Sequence, residues 1–250
     1  MLELLPQLPT YAWVLLAVAA FAVGVSKTAL PGVTTLSVAT FAAVLPAKQS
    51  TGALLVLLIV GDMFALWTYR RHADWPTLVK LIPAVAVGLL AGAAFLAFAD
   101  DSWVRRVIGI ILLILVTITV WRRYRTPETP SDRAAKIARA GYGSLGGFTT
   151  MVANAGGPVM AMYFLAAKFP VKAFLGTAAW FFAIVNIAKL PFSIGLGLIT
   201  PGTLALDLLL VPLLIGGAFL GRWLAPRLSQ KVFDRIVLVL TVAGAVYLLV

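Results

Sequence analysis

Two short breaks interrupt long apolar runs at corresponding places in the two halves of the chain. Their sequences are Ser26-Lys27-Thr28-Ala29-Leu30-Pro31-Gly32 and Asn154-Ala155-Gly156-Gly157-Pro158. A helix that begins after such a break presents unbonded backbone N–H groups and roughly half a positive charge, which together bind anions. Glycine lets a ligand approach the backbone closely. The breaks therefore predict an anion site, although the same glycines and prolines could serve only tight helix packing.

The residues that we expect to bind the anion lie at or near these breaks. Hydroxyl and amide side chains add donors to the helix ends. The predicted binding residues here are Lys27, Thr28, Pro31, Gly32, Thr34, Asn154, Ala155, Gly156 and Gly157.

Three ionisable residues fall within apolar segments, where a charge is costly and therefore indicates function. Lys27 would add a full positive charge to the anion site, or would form a structural ion pair with Asp62. Lys189 could bind the anion, or its long side chain could snorkel to the surface. Asp62 could carry a coupling proton, or could be the fixed partner of a lysine. Asp207 lies near the end of its segment and is expected to be solvated.

Two further residues of the second half complete the predicted substrate site. Asn186 occupies the position that corresponds to Asp62. Trp180 lies inside an apolar run and could line a cavity, although helix packing explains it equally well. The other tryptophans fall at segment ends, as an aromatic belt at the membrane interface requires.

The composition places the chain among membrane proteins. Its 250 residues are 62% hydrophobic and only 12% charged, whereas soluble domains carry about 25% charged residues. The net charge of +11 comes from clusters between apolar runs, which is typical of cytoplasmic loops rather than of nucleic-acid binding. The first ten residues contain no Lys or Arg, so no cleaved signal peptide is indicated.

The chain lacks the residues that several functional classes of protein require. The chain has no cysteine and one histidine, so we expect no metal site and no cofactor. It has no phosphate-binding loop for ATP. No cluster of catalytic side chains is present, which argues against an integral-membrane enzyme.

The apolar runs form two similar sets. A spanning helix needs about 20 apolar residues, and six runs qualify: 51–69, 78–98, 104–121, 173–194, 204–223 and 232–250. Four shorter runs form two pairs, each joined by a break. Pro46, Lys48, Gly52 and Asp62 match Pro170, Lys172, Gly176 and Asn186 at a constant spacing. We therefore predict a first repeat over 1–121, a cytoplasmic linker over 122–139 and a second repeat over 140–250.

The loop charges favour one topology. If each broken pair crossed the membrane once, Lys and Arg would divide nine to nine. If each pair is a re-entrant hairpin, one side holds only Lys48, Arg105 and Arg106, while fifteen of the twenty Lys and Arg fall on the other and two lie inside segments. Basic loops are cytoplasmic, so the hairpin topology places both termini outside.

The predicted fold class is thus an all-α polytopic membrane protein with two inverted repeats. Each repeat is a re-entrant helix hairpin plus three transmembrane helices, which gives eight helical segments when each hairpin counts once. Inverted repeats with broken helices at the substrate site are typical of secondary transporters.

At these residues the chain resembles the TauE/SafE family of sulfite exporters, also called the TSUP family after 4-toluene sulfonate uptake permeases. The resemblance rests on segments 24–32 and 150–158 and is strengthened by 174–182 and 186–192. Where members commonly have three glycines, this chain has Pro31-Gly32-Val33. The resemblance implies passage of sulfite, sulfoacetate or other organosulfonates across a bacterial inner membrane.

Together these observations predict a secondary transporter, in the exporting direction, that moves small sulfur-containing anions such as sulfite, sulfoacetate or other organosulfonates by alternating access. The alternatives are an anion channel and an integral-membrane enzyme. The predicted partners are the anion and the lipid bilayer, with no nucleic acid; the oligomeric state is unknown. The localisation is the bacterial inner membrane, with multiple passes and periplasmic termini.

Overall fold

The structure is a computed structural model that describes residues 5–30, 33–100 and 132–229, with scattered residues over 102–117 and 231–239. The predicted site residues Pro31 and Gly32 lie outside the described residues. So do most of the predicted spans 104–121 and 232–250 and the linker up to residue 131.

The described residues form helices and connecting turns, without a strand. This confirms the all-α prediction. The helices are α1 (Thr10–Thr28), α2 (Thr34–Val44), α3 (Ala47–Tyr69), α4 (Trp75–Phe98), α5 (Asp132–Ala153), α6 (Gly156–Ala166), α7 (Val171–Gly195) and α8 (Pro201–Leu224). Helix α5 begins within the segment 122–139 that was predicted as the linker, because its first turns are polar but still helical.

Local sequence explains where these helices begin. Pro46 and Pro170 directly precede α3 and α7 in extended backbone, a place where proline's fixed φ fits and its missing N–H costs nothing. Asp74 caps α4 by accepting a hydrogen bond from the Thr77 amide at 2.8 Å. Thr200 and Thr203 form a reciprocal cap at the start of α8.

Helices α3 and α7, which hold corresponding positions in the two repeats, pack antiparallel at the centre of the molecule. Asp62 on α3 bonds to Asn186 on α7. Gly52 at the start of α3 contacts the backbone of Leu198 beyond the end of α7, and Gly176 at the start of α7 contacts the backbone at Tyr69. Equivalent helices that run in opposite directions with matching contacts are what an inverted repeat requires.

The outer helices repeat the same relationship. Helix α1 packs on α8, and its counterpart α5 packs on α4. Gly217 and Gly221 bring α8 against the backbone of α1, and Gly88 and Gly92 bring α4 against α5. Both pairs of glycines follow the G-x-x-x-G pattern, which is typical of closely packed membrane helices.

Each broken pair folds as a helical hairpin. Helix α2 turns back along α1, since Ser37 Oγ donates to the Ala19 carbonyl at 2.9 Å and Ser26 lies beside Thr34. Helix α6 follows α5 after only Asn154 and Ala155. Asn154 has a φ of 54°, a left-handed conformation that asparagine tolerates better than most residues.

Five of the described helices, α1, α3, α4, α7 and α8, are long and apolar enough to cross a membrane. Four of them correspond to predicted spans. Helix α1 covers one of the four shorter runs and is longer than that run, because the helix continues through Lys27 to Thr28. Helices α2 and α6 have 11 residues each and are too short to span.

The contact between α1 and α8 gives a testable prediction for Gly217, and the adjacent Gly216 provides the control. A Cβ on Gly217 would lie 2.0 Å from the Phe21 carbonyl oxygen, whereas a Cβ on Gly216 would meet nothing closer than 3.8 Å. We expect Gly217→Ala to lower the thermal unfolding midpoint in detergent sharply, because the two backbones must separate, while Gly216→Ala stays near wild type. Equal midpoints for the two variants would contradict this packing.

Candidate functional site

A cavity of about 40 Å³ lies between the two hairpin tips and the central helices α3 and α7. It is larger than the roughly 10–15 Å³ that one water molecule needs. Both breaks contribute to its wall. Its lining residues are Ser26, Lys27, Thr34, Leu58, Asp62, Ala65, Thr150, Asn154, Gly157, Leu175, Ala178, Ala179, Phe182 and Asn186.

Lys27 brings a positive charge into the cavity from the last turn of α1. Its Nζ lies 2.6 Å from Asp62 Oδ1, and its side chain is only 9% exposed. The ammonium also sits 4.8 Å from the centre of the Phe182 ring, where a cation is attracted by the ring face. Lys27 and Asp62 thus form the ion pair that the sequence left as one of two alternatives.

Asp62 also contacts the second repeat. Asn186 Nδ2 donates to Asp62 Oδ2 at 2.7 Å, and both side chains are fully buried. The carboxylate is therefore held by Lys27 from its own repeat and by Asn186 at the equivalent position of the other. Asn186 Oδ1 has no partner among the described residues.

Two hydrogen bonds fix the tip of the first hairpin. The Thr34 amide, at the start of α2, donates to Ser26 Oγ at 3.0 Å. Tyr69 Oη donates to the Thr28 carbonyl at 2.8 Å, which satisfies the C-terminal end of α1. These bonds place the N-terminus of α2 at the cavity wall.

Asn154 and Lys189 hold the tip of the second hairpin. Asn154 Nδ2 donates to the Thr51 carbonyl of α3 at 2.8 Å. Lys189 Nζ donates to Asn154 Oδ1 and to the Thr150 carbonyl, each at 2.5 Å. The chain Lys189–Asn154–Thr51 thus connects α7, the hairpin and α3.

The suggestion that Lys189 could snorkel to the surface is wrong. Its side chain is completely buried, because it points from α7 towards the hairpin rather than towards a membrane surface. Lys189 lies beside the cavity without lining it.

Glycine opens the wall of the cavity at the second hairpin. A Cβ on Gly157 would meet nothing within 4 Å, whereas one on Gly156 would collide with Thr150. Gly157 therefore offers the N-terminal backbone of α6 to a ligand, while Gly156 serves packing.

Three other predicted site residues lie outside the cavity lining. Trp180 Nε1 donates to the Arg70 carbonyl at 3.1 Å, and its ring centroid lies 5.0 Å from that of Trp75, the first residue of α4. Thr28 Oγ1 bonds to the carbonyls of Gly24 and Ala218 and joins α1 to α8. Ala155 is buried within the turn.

Sequence reasoning did not identify Phe182 and Tyr69 as parts of this site. A phenylalanine in an apolar helix carries no signal until the face that meets a cation is known. Tyr69 stood near a predicted segment end, where an interfacial role was the natural interpretation.

The arrangement suits a small anion. At their formal charges, Lys27, Lys189 and Asp62 sum to one positive charge inside an apolar shell, which one anionic group can neutralise. Hydrogen-bond donors at both hairpin tips can orient its oxygens. Among the described residues, no group of three or more His, Asp and Glu could hold a metal ion.

The comparison with protein families identifies the chain. The model of the family described as sulfite exporter TauE/SafE matches residues 16–248. The chain belongs to the TauE/SafE family. Family membership implies a membrane transporter of sulfite or related sulfur anions, and together with the apolar helices it supports a multi-pass membrane protein. No curated protein and no solved structure matches the chain.

Asp207 departs from expectation. It was expected to be solvated, yet it is 1% exposed, and neither carboxyl oxygen has a partner among the described residues. Leu206 and Leu210 of the same helix belong to the apolar cluster with α1 and α3, so the packing of α8 turns this side chain inwards.

Replacing Asp207 should therefore stabilise the protein. A buried polar group without a partner costs about 1–3 kcal/mol, and leucine has the same branching at Cγ without the polar atoms. We expect Asp207→Leu to raise the unfolding midpoint in detergent, and Asp207→Asn, which keeps an unpartnered polar group, to raise it less. A lower midpoint for Asp207→Leu than for wild type would show that the carboxyl group has a stabilising role.

Proposed function

We propose that this protein is a secondary transporter that exports small sulfur-containing anions, such as sulfite, sulfoacetate or other organosulfonates, by alternating access. It works in the bacterial inner membrane and has no catalytic activity. The observation that carries the proposal is the convergence of Lys27 and both hairpin tips on one cavity. Family membership supplies the sulfur chemistry.

In this proposal the anion binds at Lys27 and at the N-termini of α2 and α6. Thr34, Gly157 and Asn186 orient its oxygens, and Phe182 closes the apolar side. In the structure the carboxylate of Asp62 forms an ion pair with the ammonium of Lys27, so it competes with the anion for that ammonium. Protonation of Asp62 removes that competitor, so the anion and a proton bind together, and an outward anion gradient larger than the inward proton gradient drives export.

Alternating access then requires one repeat to move against the other around the cavity. The two hairpins are the mobile candidates, because each touches the cavity by its tip. The bonds from Asn154 to Thr51 and from Lys189 to Asn154 hold the second hairpin in place and must loosen when that side opens.

Flux through reconstituted vesicles tests the proposal. Purified protein in liposomes should transport sulfite or sulfoacetate and discriminate against phosphate, with taurine and sulfate as further members of the panel. Lys27→Ala liposomes with the same amount of folded protein serve as the control. Absence of flux for every sulfur anion, with an intact fold, would refute the proposed substrate class.

An anion channel is the second candidate, because helix ends also form channel sites. A carrier shows saturable flux and counterflow, in which external unlabelled anion drives labelled anion across. Flux that stays linear with concentration and shows no counterflow would favour the channel.

The proposed topology places the central linker inside and both termini outside. The chain has no cysteine, so single cysteines can be introduced at Thr129 and at Val250 without further changes. We expect an impermeant maleimide added to intact cells to label Val250→Cys but not Thr129→Cys, which reacts only after permeabilisation. Labelling of both from the same side would exclude the hairpin topology.

A further inference from the structure

A second groove lies on the outer surface between α4 and α5. Its cationic residues are Lys80 from α4 and Lys136 and Arg139 from α5, and its remaining walls include Pro83 and Val87. None of these three cations pairs with a carboxylate in the part of the chain that the structure describes. Three like charges gathered in one groove indicate an anionic ligand.

The three cations share one depth along the helices. Gly143 of α5 contacts Ala84 of α4, and Gly88 of α4 contacts Ser144 of α5, so the two helices run in the same direction and in this register. Lys80 lies in the second turn of α4, beside the first turns of α5. This is the level of the predicted cytoplasmic headgroup region.

The groove continues as an apolar surface. Towards the membrane interior, Val87 and Leu90 on α4 are each more than half exposed. Only 33% of the most apolar part of α4 is buried inside the protein. A soluble anion would use the cations alone, whereas a phospholipid uses the cations for its headgroup and the apolar face for its acyl chain. Basic pockets between spanning helices on the cytoplasmic side suit anionic headgroups.

We propose that this groove binds an anionic phospholipid, with its phosphate at Lys80, Lys136 and Arg139 and an acyl chain along Val87 and Leu90. The site is separate from the central cavity, and its ligand is a component of the membrane rather than the transported anion.

Native mass spectrometry of the full chain tests this site. Protein is taken from membranes of phosphatidylglycerol and phosphatidylcholine, and the retained phosphatidylglycerol is measured. One cation near the membrane surface contributes about 1 kcal/mol, so each single change to Gln should lower retention about fivefold and the triple change on the order of 100-fold. If the triple variant does not fold, the single variants carry the test.

The matched control is Arg70→Gln with Arg71→Gln and Lys172→Gln, which removes three exposed cations elsewhere on the same predicted side. We expect this variant to retain phosphatidylglycerol as wild type does. Equal losses in both triple variants would mean diffuse attraction to the membrane and would overturn the site. Chemical acylation of the groove lysines distinguishes a lipid from a free anion. If inorganic phosphate protects these lysines from acylation as strongly as phosphatidylglycerol does, the lipid is not the ligand.

Discussion

Replacing Asp62 by asparagine is expected to abolish anion transport driven by a pH gradient while anion exchange continues. Asparagine keeps an oxygen that accepts the bond from Lys27 but cannot carry a proton in transport. Asn186 Oδ1, which has no partner among the described residues, can accept from the new amide after a rotation of its side chain. The central contact between the repeats is therefore preserved.

Proteoliposomes with an imposed pH gradient measure this effect. We expect driven uptake to fall at least tenfold, to the level without a gradient, with exchange of labelled anion within about threefold of wild type. Asp207→Asn is the matched control, because it neutralises another buried carboxyl group away from the cavity and should keep driven uptake. If Asp62→Asn lowers stability and its driven uptake merely follows the amount of folded protein, Asp62 is only the partner of Lys27.

Replacing Lys27 by alanine should have the largest effect on anion binding. The change removes the only charged donor that lines the cavity among the described residues, and a hydrogen bond to a charged group contributes about 1.5–3 kcal/mol. It also leaves the carboxylate of Asp62 facing the anion. We expect affinity to fall on the order of 100-fold and stability to fall by about 3–5 kcal/mol, because a buried charge loses its partner.

Two comparisons separate binding from folding. The double variant Lys27→Ala with Asp62→Asn should recover most of the stability, since no unpaired charge remains, but not the affinity. Lys189→Ala should loosen the second hairpin and reduce affinity less than Lys27→Ala, because Lys189 does not line the cavity. Thermal unfolding measures the stability of each variant, and titration of sulfite into the folded variants measures their affinity. Wild-type affinity in the double variant would show that Lys27 is only structural.

The inverted repeat could be predicted because corresponding residues carry out corresponding tasks. Pro46 and Pro170 each start a central helix, and Gly52 and Gly176 each meet the backbone beyond the end of the partner helix. Selection for these contacts leaves matching residue types at a constant spacing. The convergence of both breaks on one cavity follows from that symmetry.

The directions of single side chains could not be predicted. Lys189 and Asp207 both lie in apolar helices, and the sequence alone does not show which face of α7 or α8 turns inwards. Trp180 was ambiguous for the same reason. The paired role of Lys27 and Asp62 depends on a contact between α1 and α3, and spacing along the chain does not reveal such a contact.

The pairing of Asp62 with Asn186 has a consequence for the resting state of the molecule. If the two repeats were identical, an exchange of conformation between them would convert the inward-open form into the outward-open form. The two forms would then have equal energy. Asp62 of the first repeat faces Asn186 at the equivalent position of the second. The two repeats therefore differ at their central contact, and the two open forms do not have equal energy. Under the proposed alternating-access mechanism, this asymmetry favours one of the two open forms, and exchanging the two residues between the repeats is expected to shift that preference towards the opposite side of the membrane.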